Sequence, residues 1–431
     1  MKLNLTLLAT ASLFALSVSS AAAQAQTGDT TTVLTAERLF DARTGRMIQS
    51  PVVLIRGERI VSVQSRGSIP AGAAKVVNLR GMTLMPGLID MHTHIDSDPS
   101  YGGYNSLQFS DRFWSVIAVP NAMRTLQAGF TTIRNVGSDA WNDVGLGQAI
   151  NEGKIPGPRI VPAGYAFGAT GGHCDSTFFP PSMNQKSPYN ADSPEAGRRS
   201  VREIRKYGAQ VIKICATGGV FSRNTEPGQQ QMSLSDMKAI VDDAHMYGLK
   251  VAAHAHGANG IKDAIRAGVD TIEHASLIDD EGIELARKYG AYLSMDIYNT
   301  EYTQSEGKKN GVLEDNMRKD REVADAQREG FRKAHKAGVK MVYGTDAGVH
   351  PNGENGKQFR WMVKYGMTPA QAIQSATAIS AEALGRKDIG LLEAGRFADI
   401  IAVKGDPSQD ITLLENVDFV MKGGEVYKGG N

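Results

Sequence analysis

Histidines are concentrated where short apolar runs of the sequence end. His92 and His94 close the first such run, in Asp90-Met91-His92-Thr93-His94, and two later runs end in His254 and His274. Residues two apart on a strand point to the same side, so the first two imidazoles can bind one metal ion. A single H-x-H pattern is weak, but its repetition at further run ends indicates a site for zinc or a similar divalent metal. Seven of the nine histidines share this placement: His92, His94, His173, His254, His256, His274 and His350.

Two other ionisable residues extend the pattern. Lys213 lies inside the apolar run 210–215, where an ammonium is unfavourable unless it is paired, deprotonated or chemically modified. The alternative is a lysine that reaches solvent from the strand end. Asp346 follows the run 339–343 and can present a carboxylate beside the histidines. The alternative is that it caps the N-terminus of a following helix. Six candidate ligands result: His92, His94, Lys213, His254, His274 and Asp346.

The elements that must position these residues alternate between strand and helix. Helical stretches are expected at 115–128, 236–247, 259–267 and 320–337, and several end in glycine, which closes a last helical turn. An alternation of this kind predicts a (β/α)8 TIM barrel, whose strand C-termini open onto one face. An open doubly wound sheet is the alternative, but no G-x-G-x-x-G follows the first strand. The eight apolar runs are 87–91, 130–136, 159–163, 210–215, 250–254, 269–274, 291–295 and 339–343.

The segments before and after the predicted barrel differ from it in their residue pattern. Residues 30–85 and 388–431 contain short β-rich runs broken by glycine and charged turns. Neither segment is long enough to form a stable β-domain alone. We therefore predict a small β-sandwich built from both chain ends, with residues 86–387 forming the barrel.

Charge and the first residues restrict the partners and the compartment. The chain has 47 Lys+Arg against 46 Asp+Glu, which gives no reason to expect nucleic acid or an anionic membrane as a partner. A basic start, an apolar core and an A-x-A site predict a signal peptide over residues 1–23, with a periplasmic or secreted mature protein that is not in a membrane. Of the two cysteines, Cys174 and Cys215, we expect two buried free thiols, although a disulfide is conceivable.

The segment Met85-Pro86-Gly87-Leu88-Ile89-Asp90-Met91-His92-Thr93-His94 resembles the metal-dependent amidohydrolase superfamily. Within it, the runs 251–257 and 214–220 are similar to those of imidazolonepropionase-related peptidases that hydrolyse Xaa-Pro or Xaa-Arg/Lys dipeptides. The chain is also similar to bacterial amidohydrolases that cleave the amide bond of ochratoxin A. Relatives commonly assemble, so the resemblance implies a homo-oligomer.

The resemblance also implies a binuclear zinc site. His92, His94 and Asp346 would hold one ion and His254 and His274 the other, with Lys213, carboxylated by carbon dioxide, bridging both. The deaminase branch typically lacks this lysine and adds a catalytic Glu after strand five. No H-x-x-E follows His254 here, so hydrolysis is favoured over deamination. Asn135 departs from the residue pattern of the superfamily, because many relatives have an acidic residue at this position.

We expect a hydroxide that bridges the metals to attack the amide carbonyl, with Asp346 as general base and then general acid. His173, in a long loop, is a candidate donor to the substrate carbonyl, and Arg223 a candidate partner for a substrate carboxylate. Tyr298 is a weaker substrate-binding candidate. Loops 95–111, 168–195 and 299–314, with their aromatic residues, should shape the pocket.

Three functions compete at this point. The first is hydrolysis of the amide bond of dipeptides or N-acyl amino acids, including ochratoxin A. The second is hydrolysis of a cyclic amide, lactone or phosphotriester by the same metal pair. The third is a non-catalytic binding barrel, which the presence of all six ligand types disfavours.

Overall fold

The computed structural model describes residues 31–69 and 74–430. The signal peptide predicted over residues 1–23 lies outside this part of the chain. No helix within the described ranges is long and apolar enough to cross a membrane.

The strands are given in chain order. They are β1 (Thr31–Asp41), β2 (Arg46–Gln49), β3 (Pro51–Arg56), β4 (Arg59–Ser65), β5 (Lys75–Pro86), β6 (Leu88–Thr93), β7 (Phe130–Asn135), β8 (Arg159–Pro162), β9 (Phe167–Gly168), β10 (Val211–Cys215), β11 (Lys250–Ala255), β12 (Thr271–His274), β13 (Tyr292–Ser294), β14 (Met341–Val342), β15 (Ile400–Lys404), β16 (Phe419–Lys422) and β17 (Glu425–Lys428).

The α-helices follow the same order. They are α1 (Asp111–Gln127), α2 (Asn142–Asn151), α3 (Pro194–Lys206), α4 (Leu234–Met246), α5 (Ala258–Ala267), α6 (Asp280–Tyr289), α7 (Asn299–Glu306), α8 (Glu314–Lys336), α9 (Gln358–Lys364), α10 (Pro369–Gln374) and α11 (Ser380–Ala383).

Strands β6 to β14 form a parallel barrel, which confirms the predicted fold. Two hydrogen-bonded arcs, β6-β7-β8 and β9 to β14, make up its wall. The arcs meet where Met91 N donates to Tyr343 O at 2.7 Å and where Gln210 N donates to Pro162 O at 2.8 Å. Helices pack around this wall; α5, for example, buries Ile261, Ala264 and Ile265 at the spacing of one apolar helix face.

Strand β9 is an addition that the sequence did not predict. It pairs with the end of β10 through Gly168 and Cys215. A Cβ on Gly168 would lie 3.1 Å from the Cys215 carbonyl oxygen, so only glycine permits this close approach comfortably. The result is that the start of the loop after β8 is fixed against the strand that carries Lys213.

Both chain ends join in one sheet beside the barrel. Its order is β17-β16-β15-β5-β1-β3-β4, with β2 paired to β1. The long β5 is the centre, because it pairs in parallel with β1 and antiparallel with β15 from the other end of the chain. This unit has its own apolar core, which includes Leu34, Val53, Leu84, Ile400 and Phe419. The predicted joining of the two flanks is therefore confirmed.

A buried ion pair links this sheet to the barrel. The Arg159 guanidinium of β8 bonds the Asp399 carboxylate, which also accepts from Gly423 N at 2.8 Å. Asp399 is 4% exposed, so the pair is shielded from water. Its loss would leave a guanidinium without a counter-charge at the junction of the two units.

We expect Asp399→Asn to lower the free energy of unfolding by about 2–3 kcal/mol, measured by urea denaturation. The matched control is Asp242→Asn in α4, whose ion pair with Lys238 is more than half exposed on both sides and should contribute less than about 0.5 kcal/mol. Equal losses in the two variants would contradict a special role for the junction.

Candidate metal centre

All six candidate ligands line one cavity of about 310 Å³. The cavity opens at the carboxyl ends of the barrel strands, because β6, β10, β11 and β12 each contribute a ligand at or near their last residue and Asp346 follows β14. Parallel strands of a barrel end at one face, and this geometry alone brings together residues that are far apart in the chain.

Asp346 lies at the centre of the group. Its Oδ1 is 3.3 Å from His92 Nε2 and 3.3 Å from His94 Nε2, and its Oδ2 accepts from Asn299 Nδ2 at 3.0 Å. Its backbone has φ = 59°, an unusual conformation for a residue with a side chain. Burial acts to raise the pKa of Asp346, but the imidazoles of His92, His94 and His274 outweigh it and hold that pKa well below the usual range.

Three histidines each direct one ring nitrogen outward to a fixed acceptor. His92 Nδ1 lies 3.0 Å from Glu273 Oε2, His94 Nδ1 lies 3.0 Å from Gly137 O, and His274 Nδ1 lies 3.0 Å from Asp296 Oδ1. A carboxylate or carbonyl can only accept, so each Nδ1 carries the proton and each Nε2 presents a lone pair inward. Burial lowers the pKa of His92 to about 4, which keeps that ring neutral. These are the properties of metal-binding imidazoles.

Two more histidines complete the donor set. His254 Nε2 lies 3.2 Å from Gly218 O, which leaves its Nδ1 free to act as a ligand. Ring nitrogens of His254, His256 and His274 lie within 4.8 Å of one another, as do ligand atoms of His92, His274 and Asp346. Two overlapping groups of this kind can hold two adjacent divalent ions, and the donor types fit zinc. His256 is not among the six candidate ligands that the sequence predicted, but the structure places it within ligand range.

Lys213 contributes a basic side chain to the cavity. It is 3% exposed, and burial lowers its pKa to about 8. Since an ammonium group has no lone pair, this side chain can bind a metal only after deprotonation or after conversion to an acidic group.

Glu273 and Arg134 were not predicted from the sequence. Glu273 is fully buried and bonds His92 on one side and Arg134 Nη2, at 2.7 Å, on the other. Arg134 also donates to Met91 O and to Thr271 Oγ1. Both are charged residues inside strand-length runs of the sequence, as Lys213 is.

Asp296 and Asn299 also escaped the sequence analysis. Asp296 accepts from His274 and from Gln327 Nε2 at 2.9 Å, and Asn299 bonds both Asp296 and Asp346. Asp296 lies between β13 and α7, and Asn299 is the first residue of α7; no local pattern marks either of them. Only the closure of the barrel brings them to the ligands.

The three predicted substrate-binding residues lie in three different places, and His173 alone of the three lines the cavity. His173 lines the cavity, with its ring stacked on His254 at a centroid distance of 4.0 Å. Arg223 is exposed on the rim and donates to the Tyr104 hydroxyl at 2.7 Å. Tyr298 is buried against His350, with its hydroxyl 3.4 Å from Glu354 Oε2. In the described chain, neither Arg223 nor Tyr298 lines the cavity, and their roles stay predictions.

A wider cleft of about 850 Å³ continues outward from the metal cavity. The two share six lining residues, among them His94, His173 and Phe221. Nine aromatic side chains line the cleft: Tyr101, Tyr104, Phe109, Trp114, Tyr165, Phe178, Phe179, Phe221 and Tyr302.

A model of the amidohydrolase family matches residues 83–427. The chain belongs to this family. It is 32% identical over 411 residues to the ochratoxinase of Aspergillus niger, covering 89% of this chain and 84% of that one. The structure of an Xaa-Pro dipeptidase with methionine bound in its active site is similar with a TM-score of 0.87 and 36% identity, over 93% of this chain and 100% of that chain. The structure of the A. niger ochratoxinase has a TM-score of 0.84 and 30% identity, over 93% and 96%.

The predicted resemblance is thereby confirmed, and this amidohydrolase is a metal-dependent amide hydrolase. Its departure at Asn135 has a local explanation. Asn135 Oδ1 accepts from Ile95 N at 2.7 Å, and its Nδ2 donates to Gly137 O and Asp143 Oδ2. An amide can donate and accept at once, so Asn135 fixes the segment that carries His94.

One expectation about the amidohydrolase is wrong. Cys174 and Cys215 form a disulfide, with their Cα atoms 5.8 Å apart, instead of two free thiols. The reason is β9: because Gly168 brings the loop against the end of β10, the chain returns at Cys174 directly beside Cys215. The sequence does not show this contact, since β9 has only two residues.

We predict that the amidohydrolase, denatured without reductant, releases almost no free thiol, and that both cysteines become titratable after reduction. Thiol titration in guanidinium measures this directly, with Cys174→Ser as the reference for one free thiol. Two titratable thiols before reduction would contradict the disulfide.

We also predict that Glu273→Gln lowers the free energy of unfolding by about 3 kcal/mol, because Arg134 then lacks its buried counter-charge. The affinity for zinc should fall by about 10- to 100-fold, since His92 loses the acceptor that orients it. Denaturation curves and metal titration measure the two effects. The exposed Glu284→Gln in α6 is the control and should change neither.

Proposed function

We propose that this chain is an exported binuclear zinc amidohydrolase that cleaves the amide bond of dipeptides or N-acyl amino acids. One observation carries the proposal. Four histidines, a buried lysine and an aspartate converge on one cavity, and each of the four histidine rings is bonded outward through one nitrogen. The number and types of these donors suit two divalent ions.

His92, His94 and Asp346 would hold one ion, and His254 and His274 the other. In support, Asp346 Oδ1 lies 3.3 Å from both Nε2 atoms of the first pair. His274 belongs to both clusters of ligand atoms, which supports two adjacent ions.

Lys213 would join the two halves as a carbamate. Its neutral amine adds to carbon dioxide, forming an N–C bond and releasing one proton, and the product is an anionic oxygen ligand. The change would replace a buried cation among four imidazoles with an anionic oxygen ligand.

Two ions bound there would supply a water that ionises near neutral pH and a Lewis acid for the amide carbonyl. The Asp346 carboxylate would take the proton of the attacking water and then give it to the leaving nitrogen as the C–N bond breaks. His173, on the wall of the cavity, would donate a hydrogen bond to the carbonyl oxygen as its negative charge grows.

The size and the aromatic lining of the outer cleft favour a substrate with a bulky, aromatic acyl group. Its volume and its aromatic walls suit a ring system on the acyl side of the amide. Arg223, held on the rim by Tyr104, supplies positive charge for the free carboxylate of the amino acid. The relatives named above are an ochratoxinase and an Xaa-Pro dipeptidase, so ochratoxin A and Xaa-Pro dipeptides are the first substrates to test.

Export to the periplasm or the medium, and assembly into a homo-oligomer, belong to the same proposal. The disulfide supports export, because such bonds persist in oxidising compartments and are rare in the cytosol. N-terminal sequencing of the mature protein and its mass in solution test the two points.

The zinc-loaded enzyme should hydrolyse members of a panel of N-acyl amino acids and dipeptides that includes ochratoxin A. Capping the substrate carboxylate as an amide should reduce kcat/KM. Lactones, cyclic amides and phosphotriesters form the second arm of the panel. Turnover confined to that arm would replace the proposed function with its alternative, and turnover in neither arm would leave a binding barrel.

We predict that Asp346→Asn keeps most of its zinc and loses activity on the order of 10³-fold, because an amide can occupy the position but cannot accept the proton. Metal analysis and steady-state kinetics measure the two properties. Asp325→Asn in α8, whose side chain is fully exposed, is the control. Near-normal turnover in Asp346→Asn would show that another group handles the proton.

A further inference from the structure

Helix α8 contains a fully buried lysine that does not line the metal cavity. Lys319 Nζ donates to Ser222 O at 2.5 Å and to Thr225 O at 3.1 Å, and it lies 3.1 Å from Asp315 Oδ2. A buried ammonium is unfavourable unless its protons have acceptors, and these three partners supply one for each proton. Two of the three are backbone carbonyls of a single segment that follows β10.

The same segment receives two further bonds from α8. Asn316, which is 2% exposed, donates from Nδ2 to Val220 O at 2.5 Å and to Ser222 O at 3.4 Å. The backbone carbonyls before and after Phe221 are therefore both bonded to buried side chains of one helix. The buried hydroxyls of Ser222 and Thr225, 2.5 Å apart, close the segment on itself. These bonds fix the position from which the Phe221 side chain projects.

Phe221 lies where the metal cavity meets the outer cleft. Ala166 and Val349 share this place and are smaller, so the half-buried Phe221 is the largest apolar side chain there. A ligand that extends from the ligand histidines into the cleft has to pass this set of residues. Six residues line both spaces and form the boundary between them: His94, Ala166, His173, Cys174, Phe221 and Val349.

We propose that Phe221 is a specificity-determining residue that contacts the group bonded to the scissile carbonyl and favours an aryl group there, and that Lys319 and Asn316 are positioning residues that hold it at the boundary. A substrate with its carbonyl in the metal cavity and its acyl group in the cleft places the first atoms of that group beside Phe221. Two aromatic rings attract each other beyond the effect of the area they bury, so a phenyl group gains more there than a methyl group. The orientation of the substrate rests on the proposed function; the preference of the boundary for an aromatic ring does not.

The kinetic test compares two substrates of the zinc-loaded enzyme that differ only in the acyl group, N-benzoyl-L-phenylalanine and N-acetyl-L-phenylalanine. We expect Phe221→Leu to lower the benzoyl-to-acetyl ratio of kcat/KM by about 3- to 10-fold, because leucine keeps an apolar side chain but not the ring. The loss should lie mainly in KM for the benzoyl substrate, since the contact is made equally in the ground state and the transition state. Phe221→Tyr should retain the ratio.

Two results of this comparison would overturn the proposal. One is an unchanged ratio in Phe221→Leu. The other is a change that follows the amino acid instead of the acyl group, which N-benzoyl-L-alanine reveals.

Lys319→Met tests the positioning role of α8. We expect it to lower the same ratio, and to have no further effect on that ratio in the Phe221→Leu background. Thermal denaturation shows whether the variant is folded, and Asn316→Ala makes the same test if it is not. A purely structural defect would reduce the rates for both substrates together and leave the ratio unchanged, which would overturn the positioning role.

Two exposed residues provide matched controls. Lys336→Met removes an exposed lysine from the same helix, and Tyr289→Leu removes an aromatic ring that is 58% exposed on α6. Both variants should leave the benzoyl-to-acetyl ratio unchanged.

A second measurement does not depend on hydrolysis. N-benzyl-L-phenylalanine and N-ethyl-L-phenylalanine carry a methylene group in place of the carbonyl, so neither can be hydrolysed as an amide. Calorimetric titration of the zinc-loaded protein should show tighter binding of the benzyl compound, and Phe221→Leu should reduce this preference by about 3- to 10-fold. The expected pattern in a protein that hydrolyses neither amide would sustain the proposal and reject the proposed function. No preference in the wild type, or an equal preference in Phe221→Leu, would overturn the proposal even if amide hydrolysis is observed.

Discussion

The outward hydrogen bonds of the histidine rings are the constraint on which this site depends. An imidazole binds a metal only through a nitrogen that has a free lone pair, and which nitrogen this is depends on where the other one donates. Glu273, Gly137 O, Gly218 O and Asp296 each hold one ring, and all four lie on strand ends or in the segments that follow them. The barrel wall therefore sets the protonation of the ligands as well as their positions.

This arrangement requires charges in the core that are unfavourable on their own. Glu273 is fully buried and is stabilised by Arg134, which is itself buried and uses its remaining donors on Met91 O and Thr271. The pair connects β7 to β12 across the barrel interior. A core of aliphatic residues would pack there more simply, but it would leave His92 without an acceptor.

The sequence predicted the parts of the molecule that follow from local patterns. Eight apolar runs and the helices between them are enough for the barrel, and the placement of His92, His254 and His274 at run ends is enough to expect a shared face. It could not predict contacts that only the closed barrel creates. Asp296 and Asn299 follow β13 without a pattern, and the disulfide depends on the two-residue strand β9. Arg134, Lys213 and Glu273 share one sequence signal, a charged residue inside a strand-length run.

We propose that four histidines, Asp346 and a carboxylated Lys213 hold two metal ions. A crystal structure of the protein grown with zinc, with anomalous diffraction recorded at the zinc edge, tests this most directly. We expect two adjacent anomalous peaks, one beside His92, His94 and Asp346 and one beside His254 and His274, with density for a carboxyl group on Lys213 Nζ between them. A single peak, or an unmodified Lys213 pointing away from the metals, would contradict it.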